Sequence, residues 1–116
     1  MSEHIDLGKF GEKSAVKFLK KNRHKILEKN YDLKIGEIDI IAYDKKEDCI
    51  CFIEVKTRTS DAFGKPREAV DLKRQKRYKN AAVCYLKSNR LLNARTRFDV
   101  IEILGCDIIH IKSAFI

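Results

Sequence analysis

The sequence has 116 residues, a formal net charge of +8, and 44% hydrophobic and 36% charged residues, which is typical of one soluble globular domain spanning residues 1–116. No apolar run approaches the ~20 residues that a membrane-spanning helix needs. The first nine residues hold no apolar segment of the kind that a secretory signal requires. We therefore expect no membrane partner and a cytoplasmic location.

The positive charge favours a polyanionic partner, most often nucleic acid. A lysine-rich face kept for solubility explains the same charge, and composition does not decide between the two. The four cysteines form no CxxC pair. We interpret them as small, reduced, apolar residues, with a structural zinc site as a remote alternative.

Residues 8–21 are predicted to form an amphipathic helix, because small and apolar residues recur at helical spacing while lysines mark the polar side. The residues of this stripe are Gly11, Ala15, Phe18, Leu19 and Asn22. Glu12 lies at the border of the stripe. An acidic residue in the first turn of a helix suits the helix dipole, and this is the simplest interpretation of Glu12 taken alone.

Three strands are predicted next, and their short connections imply an antiparallel meander. They cover residues 25–33, 36–43 and 49–58, joined by a reversal at 34–36 and a turn at 44–48. The strand at 36–43 is rich in β-branched residues, which favours this assignment.

A second helix should follow the polar loop at 59–65, starting near Pro66 and ending near Lys87, because proline suits a first helical turn. After a loop at 88–95, apolar strands at 97–104 and 107–112 complete the order α-β-β-β-α-β-β. A helical crossover makes the third and fourth strands parallel neighbours. The expected fold class is α/β, with a mixed central sheet flanked by helices.

Two of the apolar strands carry charges where burial would be costly. Strand alternation places Glu37 and Asp39 on one face of their strand, and Glu54 and Lys56 on one face of the next. Across a short antiparallel turn, Asp39 and Glu54 can lie close together.

Two neighbouring carboxylates repel unless a cation lies between them, and oxygen ligands suit Mg²⁺ or Mn²⁺. A lysine beside them, Lys56, makes sense where a nucleophilic water or a charged transition state must be stabilised. Salt bridges between strands are the alternative, because so short a pattern also occurs by chance.

The spacing of Asp39 from Glu54-Val55-Lys56 resembles the PD-(D/E)xK nuclease pattern, and the element order is similar to the restriction-endonuclease-like fold. Ile38 stands where the wider motif has its proline. More narrowly, the chain looks like the YraN family of uncharacterised small bacterial proteins, which is regarded as nuclease-related. This likeness runs from about residue 8 to residue 115 and is carried chiefly by Gly11-Glu12, Gly36-Glu37-Ile38-Asp39, Phe52-Ile53-Glu54-Val55-Lys56, Phe63-Gly64 and Arg97-Phe98-Asp99-Val100.

The resemblance implies a role for each residue of the site. Asp39 and Glu54 would bind the metal, with the Val55 carbonyl as a third protein ligand. Lys56 would position the attacking water or offset charge in the transition state. The layout is also similar to that of archaeal Holliday-junction resolvases, in which a helix-borne glutamate joins the same trio. Glu12 would take that place here, and Glu37 would flank Asp39.

Several basic residues are candidates for contact with nucleic acid. Lys73 and Arg77 are one helical turn apart at the border of an apolar stripe, although a solvated helix face explains them too. Arg58 follows the predicted catalytic strand and would bind a phosphate or Glu54. Arg97 and Asp99 share a strand face, and we weigh an internal ion pair with the site region and a DNA contact equally.

We therefore expect a Mg²⁺-dependent (or Mn²⁺-dependent) DNA phosphodiesterase of the endonuclease type, acting on branched or structured DNA. The alternative is a nucleic-acid-binding module with the nuclease fold and little or no turnover. The sequence offers no separate recognition domain, so protein partners or a homodimer would supply specificity. A purely structural adaptor would leave the buried carboxylates unexplained.

Overall fold

The structure, a computed structural model, describes residues 7–58 and 71–115. Its elements, in chain order, are α1 (Leu7–Lys21), β1 (His24–Leu33), β2 (Gly36–Asp44), β3 (Cys49–Arg58), α2 (Leu72–Ser88), β4 (Thr96–Leu104) and β5 (Asp107–Phe115). The predicted α/β class is confirmed. The predicted loop at 59–65, the Phe63-Gly64 motif and the helix start at Pro66 fall in the part of the chain that the structure does not describe.

The five strands form one sheet in the order β1-β2-β3-β4-β5. The β1–β2–β3 meander and the β4–β5 pair are antiparallel, and β3 and β4 are parallel. A parallel pair needs a long crossover, and α2 lies within it. The predicted meander and mixed sheet are therefore confirmed. The strand β5 continues to Phe115, three residues beyond its predicted end, and there it pairs with Phe98.

Two helix starts differ from the expectation. Asp71 is extended (φ −68°, ψ 160°), and its side chain accepts a hydrogen bond of 2.8 Å from the backbone N–H of Arg74. Asp71 thus caps a helix that begins at Leu72, because a cap that satisfies a free N–H group fixes the start of a helix. At the other helix, α1 already begins at Leu7, so Glu12 lies in its second turn and the first-turn dipole interpretation is wrong.

The two helices cover opposite faces of the sheet. The core residues on the α2 face are Ile38, Ile41, Ile50, Phe52, Tyr78, Ala81, Ala82, Tyr85, Leu86 and Val100. Those on the α1 face are Ala15, Leu19, Ile40, Ala42, Cys49, Cys51, Ile53, Ile101 and Ile103. Burial of these apolar side chains drives the layers together. No helix in the described part of the chain has both the length and the apolar character needed to cross a bilayer.

Glycines let each helix approach one end of the sheet. A Cβ atom at Gly11 of α1 would overlap the Oγ1 atom of Thr57. A Cβ atom at Gly36, the first residue of β2, would lie 2.6 Å from the backbone oxygen of Arg77 in α2. Such contacts are too short for a real side chain, so glycine is needed at both positions. Both helices are therefore drawn close to the sheet end that carries Asp39 and Glu54.

Candidate active site

Asp39 and Glu54 come together where the pairing of β2 with β3 ends. Ile40 is paired with Ile53, which places Asp39 beside Glu54 one step further along the two strands. The Oδ2 atom of Asp39 accepts a hydrogen bond of 2.8 Å from the backbone N–H of Val55. This bond fixes the Asp39 carboxylate next to the residue that follows Glu54. The Val55 peptide thus contacts the site through its N–H group, whereas the sequence assigned its carbonyl to the metal.

The negative charge of the Asp39 carboxylate has little to stabilise it. Burial raises its pKa from 3.8 to about 6, and the charges of Glu54, Glu37 and Glu12 act in the same direction. The hydrogen bond from Val55 opposes this rise without cancelling it. Desolvation and like charges both disfavour the ionised form of an acid. A cation placed among these carboxylates would offset their mutual repulsion and favour the ionised form of Asp39.

Glu54 is the most buried acid of this group, with its side chain 3% exposed. Its Oε1 atom lies 3.0 Å from Nη2 of Arg74, whose side chain is 56% exposed. Its Oε2 atom is buried and has no hydrogen-bond partner among the described residues. A buried carboxylate oxygen without a partner is costly, and a metal ion is one means of satisfying it.

These oxygens fit a hard divalent cation. The acids do not form a closed cage, because the described residues bring three potential side-chain ligand atoms within 4.8 Å of one another only at His24, Asp44 and Cys51. Mg²⁺ is usually held by one or two carboxylates, with water and substrate phosphate completing the coordination. Asp39 and Glu54 could hold such an ion, and a phosphate group could then share it.

Glu12 and Lys56 lie at the edges of the carboxylate pair. Glu12 is half-buried on α1, and its Oε1 atom accepts a hydrogen bond of 2.9 Å from Nδ2 of Asn30. It is close enough for its charge to contribute to the raised pKa of Asp39. Lys56 is half-buried, shares the strand face of Glu54 by alternation, and lies beside Glu102 of β4 in the parallel register.

Arg74 and Tyr78 are two site residues that sequence reasoning missed. The charge of Glu54 raises the pKa of Arg74 although burial acts against it. Tyr78 is 4% exposed, and burial together with the charges of Asp39 and Glu54 raises the pKa of its phenol. The signal in the sequence was weak: Arg74 lies on the same side of its helix as Tyr78, four residues on, but nothing local names Glu54 as its partner.

A cavity of about 370 Å³, lined by three basic and two acidic residues, opens beside Arg74, the partner of Glu54. Its lining residues are Glu37, Asp71, Lys73, Arg74, Arg77 and Tyr78. The structure thus places Lys73 and Arg77, the two predicted phosphate contacts on α2, together at the site, and both are exposed. Glu37 contributes to the same cavity, as its position on the strand face of Asp39 suggested.

Arg58, at the end of β3, does not pair with Glu54, whose ionic partner among the described residues is Arg74. The Nε and Nη2 atoms of Arg58 are buried and have no hydrogen-bond partner in that part of the chain. Guanidinium N–H groups in this state can bind an anionic oxygen. Binding of a phosphate by Arg58 remains a prediction.

A second acidic cluster lies on the opposite, α1-covered face of the sheet. The Nε atom of Arg97 lies 2.8 Å from Oδ1 of Asp99, and its Nη1 atom lies 3.1 Å from Oδ2 of Asp44. The Arg97 side chain is only 7% exposed, so a DNA contact through it is wrong and the internal ion pair is right. The pair is not in the predicted site region. Asp44 is five residues beyond Asp39 along β2, roughly 16 Å at the rise of a strand. Asp99 lies beside Ile53 in the register but on the α1 face of the sheet, whereas Glu54 faces α2.

Ligand atoms of His24, Asp44 and Cys51 converge within this second cluster. Arg97 already supplies the cation there, because its Nη1 atom contacts both Asp44 and, at 3.4 Å, the Sγ atom of Cys49. Burial raises the pKa of the Cys51 thiol, which disfavours the thiolate that zinc would need. The cysteines are free, and Cys49 and Cys51 are buried, as expected for reduced apolar residues.

The model of the family described as "Uncharacterised protein family UPF0102" matches residues 11–103. The chain belongs to the UPF0102 family. A UPF0102 protein of Clostridioides difficile is 53% identical over 110 residues, which cover 93% of this chain and 95% of the relative. A UPF0102 protein of Syntrophus aciditrophicus is 42% identical over 119 residues, which cover 99% of this chain and 92% of the relative.

Another UPF0102 protein, from Acetivibrio thermocellus, is 47% identical over 97 residues, which cover 83% of this chain and 73% of the relative. The UPF0102 match includes every predicted site residue, from Glu12 to Arg77. The family likeness predicted from the motifs is thereby confirmed. Membership of the wider nuclease superfamily stays a prediction.

Proposed function

We propose that this protein is a metal-dependent phosphodiesterase that acts on DNA. The observation that carries the proposal is that the negative charges of Asp39 and Glu54 have too few partners. Glu54 is buried with one carboxylate oxygen unpartnered among the described residues, and Asp39 beside it has a pKa raised to about 6. Acids held in so unfavourable a state are typical of functional sites, where a ligand completes the interactions.

In this proposal Asp39 and Glu54 bind Mg²⁺ or Mn²⁺. A bound metal of this kind lowers the pKa of a coordinated water and neutralises charge on a phosphate. The hydrogen bond from Val55 holds Asp39 in the orientation that leaves its other oxygen available. Lys56, on the strand face of Glu54, offsets negative charge as the phosphate is attacked. Glu12 approaches from α1 and completes the set of acids.

The DNA backbone would enter the cavity at the start of α2. Lys73, Arg74 and Arg77 line this cavity and present their positive charge beside Glu54. Arginine binds phosphate oxygens through paired N–H groups, and lysine acts as a point charge. Branched or structured DNA is the proposed substrate. Support comes from the position of Glu12 on a helix, which is where the site of the junction resolvases, to which this site is similar, has its additional glutamate.

A nucleic-acid-binding module with little or no turnover is the second candidate. Two observations favour it. In the described part of the chain, the carboxylate oxygens of Asp39, Glu54 and Glu12 do not form a group of three within 4.8 Å of one another. Arg74 also already supplies a positive charge to Glu54, which lowers its demand for a metal. Both observations would leave DNA binding intact and weaken catalysis.

A cleavage assay separates the two candidates. Single-stranded, duplex, flapped and four-way DNA are incubated with Mg²⁺ or Mn²⁺ and wild-type protein, Asp39→Asn, Glu54→Gln or Lys56→Ala. We expect each substitution to reduce cleavage by about 10²-fold or more, as loss of one charge-stabilising group does in other enzymes. Asp48→Asn, which makes the same acid-to-amide change at an exposed position in the turn between β2 and β3, at the other end of these strands, should cleave like the wild type.

Two outcomes of this assay would contradict the enzyme proposal. Equal cleavage by the wild type and all variants would indicate a contaminating nuclease and refute the enzyme proposal. Binding of DNA by the wild type without metal-dependent cleavage of any substrate would establish the binding module instead.

A further inference from the structure

A basic groove runs between α1 and β1, on the other side of the site from the α2 cavity. Its volume is about 520 Å³. The described residues that line it are Lys9, Glu12, Lys13, Val16, Lys17, Lys29 and Asn30. Glu12 is the only acid of this lining, and its carboxylate accepts the hydrogen bond from Asn30. The groove is therefore dominated by positive charge.

The lysines are regularly spaced. Lys9, Lys13 and Lys17 are four residues apart and so lie along one side of α1, where like charges destabilise a helix slightly. Four residues of helix advance about 6 Å, which is close to two steps of about 3.4 Å along one strand of a nucleic acid. A row of charges with this repeat matches a polyanion that has evenly spaced phosphates better than it matches a single small anion.

The inner end of the groove reaches the carboxylate pair. Asn30 lies opposite Asp39, between the β1–β2 pairs Lys29–Ile40 and Tyr31–Ile38. Its backbone is in the left-handed region (φ 51°), and its amide holds Glu12, whose charge acts on Asp39. Asn30 and Glu12 thus belong to the groove and border the site, so a bound strand could pass from one to the other.

We propose that the α1–β1 groove binds the phosphate backbone of the nucleic acid as it continues past the site. The substrate is then held on both sides of Asp39 and Glu54, by the α2 cavity and by this groove. The inference rests on the proposed function for the position of the scissile phosphate. The groove itself can be tested by binding alone.

The test compares two double substitutions on α1. Lys13→Gln/Lys17→Gln removes two charges from the groove, and Lys20→Gln/Lys21→Gln removes two exposed charges from the same helix outside it. Binding of fluorescent duplex and four-way DNA is measured by anisotropy in EDTA at several salt concentrations. Circular dichroism and thermal unfolding verify that both variants fold.

We expect the groove variant to bind about 10-fold or more weakly, with the slope of log K against log salt reduced by about two, since each phosphate contact contributes about 0.9 to the slope. The matched control should change affinity by less than about 3-fold. Equal losses in both variants, or no loss in the groove variant, would overturn the inference. So would displacement of DNA by polyglutamate of equal charge, which would indicate a surface for acidic proteins.

Cleavage kinetics distinguish failure of this inference from failure of the proposed function. If the proposal holds, the groove variant has a raised KM and an almost unchanged kcat. Metal-dependent cleavage lost in Asp39→Asn but unaltered in the groove variant would refute the groove and leave the phosphodiesterase intact. Absent cleavage, together with weaker binding by the groove variant, would refute the enzyme and support the groove.

Discussion

Two pairs of acids lie on opposite faces of one sheet, and their surroundings have opposite effects. On the α1 face, Asp44 and Asp99 have lowered pKa values although burial alone would raise them, because Arg97 and several N–H groups stabilise their charges. On the α2 face, burial raises the pKa of Asp39 and a single hydrogen bond opposes the rise.

The difference lies in the number of partners. Asp99 accepts hydrogen bonds from Arg97 and from the backbone N–H of Ser113 at 3.0 Å, and it lies 2.8 Å from Nε2 of His110. Asp44 contacts Arg97 and accepts a bond of 2.9 Å from the backbone N–H of Lys46. Burial by itself therefore does not identify a site. The incomplete pairing of Asp39 and Glu54 is the reason for proposing a site there, because it leaves room for a ligand.

Loss of Arg97 should give the largest effect on stability. Arg97→Met leaves Asp44 and Asp99 buried beside a neutral side chain, and breaking a buried pair in this way costs about 3–5 kcal/mol. We expect this decrease in the free energy of unfolding in urea at pH 7. A decrease below about 1 kcal/mol would show that the network is no more stabilising than a surface ion pair.

The pH dependence of stability should reveal Asp39. The pKa of Asp39 is about 6 in the folded chain and near 3.8 in the unfolded chain, so the folded state binds a proton more tightly. Stability contributed by that proton is present at low pH and is lost as the pH rises from about 4 to about 6. Full burial would make this loss about 3 kcal/mol, and partial exposure reduces it to about 2 kcal/mol.

Asp39→Asn provides the comparison, since the amide does not titrate and its oxygen can still accept the hydrogen bond from Val55. The difference in unfolding free energy between wild type and variant, measured by urea titration from pH 4 to pH 7.5, isolates the contribution of this one carboxylate. A constant difference across that range would contradict the raised pKa. The acids of the opposite cluster titrate lower, and they contribute equally to both proteins.

A divalent cation should stabilise the folded protein through Asp39 and Glu54, and not through the Arg97 cluster. At a free Mn²⁺ concentration ten times its Kd, we expect the wild type to gain about 1.4 kcal/mol, seen as a higher Tm at pH 7. Asp39→Asn and Glu54→Gln should gain much less. Asp99→Asn serves as the control, because it weakens the opposite cluster and leaves the metal site intact. An equal rise in Asp39→Asn and the wild type would locate the metal elsewhere.

Arg74→Met should have the smallest effect. Arg74 is more than half exposed, so its pair with Glu54 is screened by solvent, and we expect a loss of about 1 kcal/mol without metal. Mn²⁺ should restore this loss, because the ion takes over the role of the arginine. Failure of Mn²⁺ to restore the Arg74→Met variant, while it stabilises the wild type, would show that Arg74 is needed for metal binding.

Local patterns in the sequence predicted most of the fold. The strand β3 was predicted with its observed bounds, Cys49–Arg58, and β2 with an error of one residue, because alternation and β-branched residues are local signals. The structure begins α2 at Leu72, because the extended backbone and the side chain of Asp71 cap the helix there. Pro66, where the sequence placed the start, lies outside the described residues.

The candidate site was accessible to sequence reasoning only in part. Asp39 and Glu54 lie on consecutive strands joined by a short turn, so their proximity follows from the register of one hairpin. The contact of Arg97 with Asp44 could not be predicted in the same way, since it depends on the parallel pairing of β3 with β4 across the α2 crossover. The contact of Arg74 with Glu54 depends on the same crossover, because the crossover places α2 against the strand that carries Glu54.

The parallel pairing of β3 with β4 also has a consequence for the order of folding. The bond between Val55 and Asp39 spans 16 residues, and the bond between Arg97 and Asp44 spans 53. The longer loop costs about 1 kcal/mol more in closure entropy, and contacts distant in sequence form late. We expect pulse-labelled hydrogen exchange to protect the β2–β3 hairpin before β4. The chain would then assemble the hairpin that carries Asp39 and Glu54 first and form the Arg97 network afterwards.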